Sequence, residues 1–370
     1  MNKMLPPDAG LTFDGRKRDH IRLSLDENSQ ALDLSGLHRV RLLHQSLPEL
    51  DFKTVTLMTP RLHVAAAESV SVVREFQTPF YVSGMTAGHE DAVELNDLLA
   101  SACLERGWIF GLGSQRREIE AVVSDNPSLN ESWSEFRKRF ENLTVLGNLG
   151  ASQLKNSSLS QISAFFERSK IDALAIHLNA LQEALQWEGT PHFDGVFERL
   201  MQLKTELKIP LIIKETGSGM SRKTFEKLAR IEPVAVDVSG LGGTHWGRIE
   251  GLRSQEIDRN HIKAKAAETF ANWGISLVES LQDAVQFLPS SVEIWASGGI
   301  RSGLDAAKAI ALGATRVGYA APAMKAALKG KQELLNWMEL QEYELRVALF
   351  CLGCSNPREL KGNRTLWKID

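Results

Sequence analysis

Polar side chains suited to a metal-bound diphosphate follow one apolar run in the middle of the chain. His177 and Asn179 alternate beyond residues 171–176, so on a strand both would point to the same side. Gln182 and Glu183 come next, and Mg²⁺ prefers one or two carboxylates together with substrate oxygens. The alternative is a polar helix start that carries acidic residues near its N-terminus. We therefore predict either a magnesium diphosphate site or an ordinary helix start at this position.

A cluster of cationic and protonatable residues lies close to the N-terminus. Arg16 and His20 would share one face of a helix, with Lys17 beside them. Three such donors could clamp a diphosphate. A solvated helix start has the same composition and is the commoner case in isolation. The assignment therefore depends on the rest of the chain.

Lys214 ends an otherwise apolar run, residues 210–213. Such a lysine either faces a bound anion or delocalised negative charge, or extends out of the barrel with only its stem buried. We favour the first, because the strand pattern directs the side chain toward the mouth of the predicted barrel.

Small polar side chains mark three successive strand ends and one glycine-rich loop. Thr86, Ser114 and Asn148 suit the rim around a flat heteroaromatic ligand. Thr244 follows Gly242 and Gly243 and offers a hydroxyl to a phosphate, and Trp246 supplies an aromatic wall.

The segment 292–321 has the pattern of a phosphate-binding unit. Residues 292–296 read as a buried strand, and Ser297, Gly298 and Gly299 allow a ligand to approach the backbone. A helix over 305–312 ends at Gly313, and another strand covers 316–320. The alternative is a βαβ crossover with tight turns. The last two units of a (β/α)₈ barrel build a phosphate site in this way, from free N–H groups and a helix dipole.

Eight short apolar runs position these groups, and each is flanked by a helical pattern. Polar and glycine residues fall at the C-terminal end of every run, which is the active-site face of a parallel barrel. We predict an α/β protein, a (β/α)₈ TIM barrel over 79–330, with an N-terminal extension (1–78) that contributes substrate-binding residues and a C-terminal helical tail (331–370). The predicted strands cover 79–83, 108–113, 143–147, 171–176, 210–213, 234–238, 292–296 and 316–320.

Composition narrows the classes of function. The chain has 370 residues, 43% hydrophobic and 24% charged, with a formal net charge of −3. That balance gives no electrostatic case for nucleic acid or an anionic membrane surface, and no apolar run is long enough to span a bilayer. With three cysteines and no disulfide framework, we expect a cytoplasmic protein. Cys351 and Cys354 lack the partners of a zinc site, so we expect them to be structural.

In this order, the motifs closely resemble those of the type II isopentenyl diphosphate isomerases, which are FMN-dependent (β/α)₈ barrels. The resemblance runs from Arg16 to about Leu328 and rests on separated motifs at successive strand ends. They are Arg16-Lys17-x-Asp19-His20, Gly84–Gly88, Gly113–Arg116, Asn148–Gly150, His177–Glu183, Lys214-Glu215, Gly242-Gly243-Thr244-x-Trp246 and Ser297–Arg301.

The resemblance implies interconversion of isopentenyl and dimethylallyl diphosphate without net redox change, with FMN, Mg²⁺ and a reductant such as NADPH. It also implies a homo-oligomer, a tetramer or octamer, with no nucleic acid or membrane partner. Substrate would be held by Arg16, Lys17, His20, Ser114, Gln115, Arg116, Gln182 and Trp246.

The same resemblance assigns the remaining site residues. Mg²⁺ would bind Glu183, and we expect Gln182, Lys214, His177 and Asn179 to serve the chemistry, with Gln182 orienting or relaying rather than acting as an acid. FMN would be lined by Met85, Thr86, Ala87, Ser114, Asn148, Lys214, Thr244, Gly298, Gly299, Arg301, Ala320 and Ala321.

Two residues depart from the family pattern, and two other functions stay open. Trp187 stands where proline is usual and His245 where serine is common, so substrate fit or phosphate contact could differ. An FMN-dependent 2-hydroxy acid oxidase or dehydrogenase would place a histidine ahead of Gly-Gly-Arg, whereas this chain has Gly-Gly-Thr-His-Trp. A catalytically silent flavin-binding protein is the other alternative. A nucleotide dehydrogenase of the inosinate type is excluded, since no cysteine lies between Cys103 and Cys351.

Overall fold

A computed structural model describes residues 13–31, 34–65, 71–85, 90–124 and 135–370. The N-terminal extension contains helix α1 (Phe13–Ser24), strand β1 (Val40–Leu42) and an antiparallel hairpin of β2 (Thr59–Ala65) and β3 (Ser71–Phe76). Short 3₁₀ turns cover Glu27–Ser29, Leu37–Arg39 and Phe52–Thr54. No helix in these ranges is both long enough and apolar enough to cross a membrane.

Eight parallel strands close into a barrel, as the sequence predicts. In chain order they are β4 (Phe80–Val82), β5 (Ile109–Gly111), β6 (Val145–Gly150), β7 (Ala173–Leu178), β8 (Leu211–Glu215), β9 (Ala235–Asp237), β10 (Glu293–Ala296) and β11 (Arg316–Tyr319). Each strand pairs with the next, and β11 pairs with β4 to complete the ring. The predicted (β/α)₈ barrel is therefore confirmed.

Helices surround the barrel on its outer face. They are α2 (Glu90–Arg106), α3 (Arg116–Ser124), α4 (Ala151–Asn156), α5 (Leu159–Ser169), α6 (Ala180–Leu185), α7 (Val196–Gln202), α8 (Arg222–Ile231), α9 (Trp246–Asp258), α10 (Ile262–Thr269), α11 (Leu277–Phe287), α12 (Gly303–Ala311) and α13 (Ala321–Ala327). A further helical segment lies at 135–139, and a π-helical turn at Leu203–Leu207 follows α7. Most buried apolar side chains lie between this layer and the strands.

The barrel interior is apolar toward the start of the strands and polar toward their ends. Phe76, Ile109 and Ala173 belong to a second, inner cluster of buried side chains, which also contains Tyr81 and Trp295. Further along, the strand register aligns His177 with Lys214, and Lys214 with Asp237. Alternation along each strand therefore carries these polar side chains as one layer toward the C-terminal mouth.

The N-terminal extension is tied to the loop after β9. His245 N–H donates to the Ser29 carbonyl at 2.9 Å, and Ala31 N–H donates to the Gly243 carbonyl at 2.7 Å. These backbone bonds fix the extension beside the glycine-rich loop, and α1 packs on α9.

The C-terminal tail consists of α14 (Lys331–Cys351), α15 (Pro357–Leu360) and strand β12 (Trp367–Ile369). The helices agree with the prediction, whereas β12 was missed. It pairs antiparallel with β1, with Val40 opposite Ile369. Short strands of this kind depend on a partner that is distant in sequence, so local pattern gives little signal.

Replacing Trp367 with alanine should destabilise the protein by about 3 kcal/mol, because the change removes a large buried ring from the junction of the two termini. Trp367 is only 5% exposed, whereas Trp273 is 62% exposed and provides a matched control. The free energies of unfolding of Trp367→Ala and Trp273→Ala, measured with denaturant, test this. Equal losses would contradict the structural role of the β1–β12 junction.

Candidate active site

A cavity of about 1210 Å³, open to solvent, lies at the C-terminal end of the barrel. Its lining comes from the ends of the barrel strands, the loops that follow them, and α1. The predicted site residues that line it are Arg16, Lys17, His20, Met85, Ser114, Arg116, Asn148, His177, Asn179, Gln182, Glu183, Lys214, Thr244, Trp246, Gly298, Gly299, Arg301, Ala320 and Ala321. Segments far apart in sequence thus converge on one space.

Three predicted residues do not appear in that lining. Thr86 and Ala87 lie outside the described residues. Gln115 is fully buried, and its Oε1 accepts a hydrogen bond from Asn148 N–H at 3.1 Å. The Gln115 side chain supports the strand that carries Asn148, and its contact with substrate stays a prediction.

Several lining residues were missed by the sequence reasoning. Gln30 reaches the cavity from the N-terminal extension, and its Nε2 donates to Thr244 Oγ1 at 3.1 Å. Most of the other missed polar residues lie at or just after the end of a predicted strand, and this position could have indicated that they face the cavity. They are Ser83, Gln153, Thr216 and Ser239.

The tautomer of His177 follows from its hydrogen-bonded chain. Asn148 Nδ2 donates to the Leu112 carbonyl at 2.8 Å, which orients the amide and leaves Asn148 Oδ1 as an acceptor. His177 Nδ1 lies 2.7 Å from that oxygen and must donate the proton. Burial, then the charges of Lys214 and Lys17, lower the pKa of His177 to about 3. The ring is therefore neutral, and its Nε2 is left as an acceptor.

Lys214 is a buried cation inside the mouth of the barrel. Its Nζ donates to the Glu215 carbonyl at 3.0 Å. Burial lowers its pKa, while the charges of Asp237 and Glu215 act in the opposite direction. A buried ammonium of this kind favours anionic or electron-rich ligands above it.

A fully buried carboxylate, Glu250 on α9, links α1 to α6. His20 Nε2 donates to Glu250 Oε1 at 2.8 Å, and Gln182 Nε2 donates to the same oxygen at 3.1 Å. Arg253 Nη1 donates to Oε2 at 3.3 Å. Burial alone would raise the pKa of Glu250, but these partners hold it below its usual value. Sequence reasoning missed Glu250, because it lies inside a helix with no motif around it.

The Glu250 contact determines which way the predicted substrate side chains face. Gln182 donates to Glu250 through Nε2, while its Oε1 accepts from Asn179 Nδ2 at 3.2 Å. The His20 ring also meets Trp246 edge to face, with centroids 5.0 Å apart. These contacts hold an amide and an aromatic wall in fixed orientations at the rim.

Cations gather where α1 meets the rim. Arg16 Nη1 lies 3.4 Å from Glu188 Oε1, which also accepts from Arg253 Nη2 at 2.9 Å. Burial, then the neighbouring Arg16 charge, lower the pKa of Lys17 to about 7. Arg116 adds a further positive charge from the start of α3. This arrangement is suited to a polyanion such as a diphosphate.

Glu183 is the only carboxylate among the described residues that line the cavity. Its Oε1 accepts from Asn179 Nδ2 at 3.1 Å, and its Oε2 accepts from Thr190 N–H at 2.8 Å. No group of three or more His, Cys, Asp or Glu in the described part of the chain could hold a metal alone. A metal here would need ligand oxygens as well.

Glycine turns bring the loop after β9 (residues 240–243) into contact with the loop after β10 (residues 298–299). Gly298 has φ +94°, and a Cβ there would lie 2.0 Å from the Gly240 carbonyl oxygen. Arg301 joins the same loops by donating to the Gly299 and Gly242 carbonyls at 2.8 and 2.9 Å. The close approach leaves backbone rather than side chains facing the cavity, as a phosphate cradle requires.

Both departures from the family pattern contact one segment, residues 261–273. The Trp187 ring lies 4.0 Å from the His261 ring, centroid to centroid. His245 Nδ1 accepts from Arg248 N–H at 3.2 Å, and its Nε2 lies 2.9 Å from the Trp273 carbonyl, to which it donates. Neither ring is among the cavity lining. The two residues therefore hold the segment 261–273, which contains α10, and do not line the cavity.

Two comparisons of sequence identify the relatives of this chain. Residues 144–368 match the family model described as FMN-dependent dehydrogenase. The chain is 42% identical over 349 residues to an isopentenyl-diphosphate delta-isomerase of Legionella pneumophila (strain Paris), covering 94% of this chain and 96% of that protein. It is 41% identical over 359 residues to one of Bdellovibrio bacteriovorus (97% and 99% covered), and 35% identical over 350 residues to one of Methanosarcina mazei (94% and 90%).

Solved structures support the fold. A mandelate oxidase superposes with a TM-score of 0.61 at 18% identity, covering 95% of this chain and 97% of that chain. The flavin-binding domain of baker's yeast flavocytochrome b2 gives 0.63 at 18% identity, with 93% and 79% covered. At this identity the likeness concerns the barrel alone.

Replacing Gly298 with alanine should lower FMN affinity at least about tenfold, because the added methyl collides with the Gly240 carbonyl at a backbone angle that L-residues avoid. Gly195, with φ +74° and no neighbour within 4 Å of an added Cβ, is the matched control for backbone strain. The ratio of flavin to protein absorbance after dialysis measures both variants. Equal flavin loss in Gly195→Ala would contradict the cradle.

Proposed function

This chain belongs to the FMN-dependent isopentenyl-diphosphate delta-isomerases, and we propose that its interconversion of isopentenyl and dimethylallyl diphosphate uses Mg²⁺ and a reductant such as NADPH. The observation that carries the proposal is the convergence of a cationic rim, one carboxylate and a buried lysine on a single cavity. The relatives named above support the activity, because the alignment with this chain covers at least 90% of the length of each of them.

The residues around the cavity fit FMN. The turns at Gly298 and Gly243 expose backbone to a phosphate, because a Cβ at either position would meet the backbone of the facing loop at 2.0 or 2.5 Å. Lys214 offers a buried cation to the electron-rich part of the ring. When bound, reduced FMN supplies an electron-rich surface and a group that exchanges protons with the C5 unit of the substrate.

The other side of the cavity fits a diphosphate with Mg²⁺. Arg16, Lys17 and Arg116 would neutralise the phosphate oxygens, and Glu183 would give Mg²⁺ its one protein carboxylate. Mg²⁺ commonly binds in this way, with few protein ligands and several from substrate phosphates and water. The diphosphate anchor then fixes the C5 unit at a set distance from the ring.

The remaining side chains orient the substrate rather than exchange protons independently. Gln182 is held at both ends of its amide and has no useful pKa, so we assign it to orientation. His177 presents Nε2 as an acceptor and cannot donate from that atom. The His20 and Trp246 rings narrow the rim and exclude water from the alkene.

A redox function is supported less. The oxidase structures share the barrel at 18% identity, whereas the isomerases are 35–42% identical to this chain.

We further propose a homo-oligomer, a tetramer or octamer, and a cytoplasmic location. Light scattering coupled to size-exclusion chromatography tests the oligomer.

The decisive experiment combines a visible spectrum with isomerisation of labelled isopentenyl diphosphate. We expect a flavin spectrum that bleaches with NADPH, and turnover that stops when EDTA removes the divalent metal. Lys214→Ala and Gln182→Ala should each lower kcat/KM by about 100-fold, the usual loss when one preorganised group is removed. If both variants isomerise at the wild-type rate, or if the wild type oxidises lactate-like acids instead, the proposed function is wrong.

The pH profile should report Lys17. An amine whose pKa is about 7 is charged below that pH and neutral above it, so diphosphate binding should weaken as pH rises. We expect kcat/KM, which reports the free enzyme, to fall above about pH 7 in the wild type. Lys17→Arg keeps its charge and should flatten this limb. An unchanged limb in Lys17→Arg would remove Lys17 from diphosphate binding.

A further inference from the structure

A second, small cavity of about 20 Å³ lies inside the barrel and shares part of its lining with the active-site cavity. Ser83, Gly84, Asn148 and Lys214 line both. Tyr81 and Asp237 line only the inner one. The inner cavity therefore extends from the floor of the proposed flavin site to a buried carboxylate and a buried phenol.

Asp237 is placed beside Lys214 by the sheet. The two residues are Cα partners on β9 and β8. Asp237 is 1% exposed, and its Oδ1 accepts from Ser297 Oγ at 2.8 Å and from Ser239 N–H at 3.1 Å. Its Oδ2 has no hydrogen-bond partner among the described residues. A buried carboxylate with one free oxygen needs a counter-charge or a donor nearby.

Tyr81 supplies one such neighbour. Its hydroxyl is buried and close to Asp237 and Ser297, although within the described ranges it makes no hydrogen bond of normal geometry. Burial, then the charge of Asp237, raise the pKa of Tyr81 well above its usual value. The phenol is therefore a neutral donor close to the carboxylate, and the cavity has room for water to bridge the two.

The other charged groups around Lys214 are less suited to balance it. Glu215 Oε2 already accepts three backbone N–H groups, from Thr216, Gly217 and Ser218, at 2.6, 2.7 and 2.5 Å. Burial raises the pKa of Glu215 to about 7, so its negative charge is incomplete at neutral pH. His177, the partner of Lys214 on β7, is neutral. Asp237, on the adjoining strand, is left as the carboxylate that still has one oxygen without a partner among the described residues.

We propose that Asp237 is the counter-ion that keeps Lys214 protonated beneath the flavin, and so acts as a positioning residue for the charge of the reduced ring. The inference rests on the proposed contact of Lys214 with FMN. It explains how a lysine buried in an apolar barrel can remain a cation, which burial by itself opposes.

The direction in which Asp237→Asn shifts the pKa of the reduced flavin shows whether Asp237 acts through Lys214 or acts on the flavin directly. In anaerobically reduced holoenzyme, the visible spectrum gives the pKa at which flavin N1 deprotonates. If Asp237 only repels the flavin anion, Asp237→Asn lowers that pKa. If Asp237 keeps Lys214 charged, the variant also loses the ammonium, and the pKa rises. We expect a rise of about one pH unit; a fall or no change overturns the inference.

Three further variants isolate the cause. Lys214→Met should raise the flavin pKa, and Asp237→Asn should add no further rise in that background. If Lys214→Met leaves the flavin pKa unchanged, the proposed contact between Lys214 and FMN is wrong. If Lys214→Met raises that pKa while Asp237→Asn alone does not, only the counter-ion role of Asp237 is wrong. Tyr81→Phe removes a neighbouring hydroxyl without changing charge, and a shift as large as that of Asp237→Asn would attribute the effect to packing.

Stability gives a readout that does not depend on FMN. Asp237→Asn should cost more free energy of unfolding when Lys214 is present than in the Lys214→Met background, because the single variant leaves a buried cation unpaired. If Asp237→Asn alone does not fold, the double variant should restore folding. Equal costs in the two backgrounds, or no rescue, overturn the inference.

Discussion

Glu250 carries a charge that the protein has to balance internally, because the side chain has no contact with solvent. Its partners come from three separate parts of the chain: His20 from α1, Gln182 from α6, and Arg253 from its own helix. The penalty for leaving such a carboxylate unpaired holds these segments together. The N-terminal extension thereby becomes part of the rim, and the diphosphate side of the cavity depends on it.

A similar constraint operates inside the barrel, one layer below. His177, Lys214 and Asp237 are neighbours across three strands, since the register places them at one level. Their charge states are set mainly by burial and by one another, and Asn148 fixes the His177 tautomer. The rim thus carries Arg16, Lys17 and Arg116, which we propose to bind the anionic end of the substrate. The floor carries the buried cation Lys214 and the neutral imidazole of His177, which we propose to lie nearest the unsaturated part of the ligands.

The strands and most of the rim could be predicted from the sequence, and for a physical reason. Parallel strands buried on both faces are short apolar runs, and the residues just beyond them must meet at one end of the barrel. Glu250 could not be found in this way, because its role depends on a contact 230 residues away with His20. The hydrogen bond between Gln115 and Asn148 could not be predicted either, because a motif gives position in the chain and not the direction of a side chain.

The attachment of the N-terminal extension has a consequence for the order of biosynthesis. Residues 29–31 bond to the loop at 243–245, and β1 pairs with a strand that ends one residue before the C-terminus. Both partners leave the ribosome well after the extension does, so the extension has to wait for its contacts. The loop at 243–245 and Glu250 precede β10 and β11 in the chain, so the extension can dock on its loop before the last two strands close the barrel.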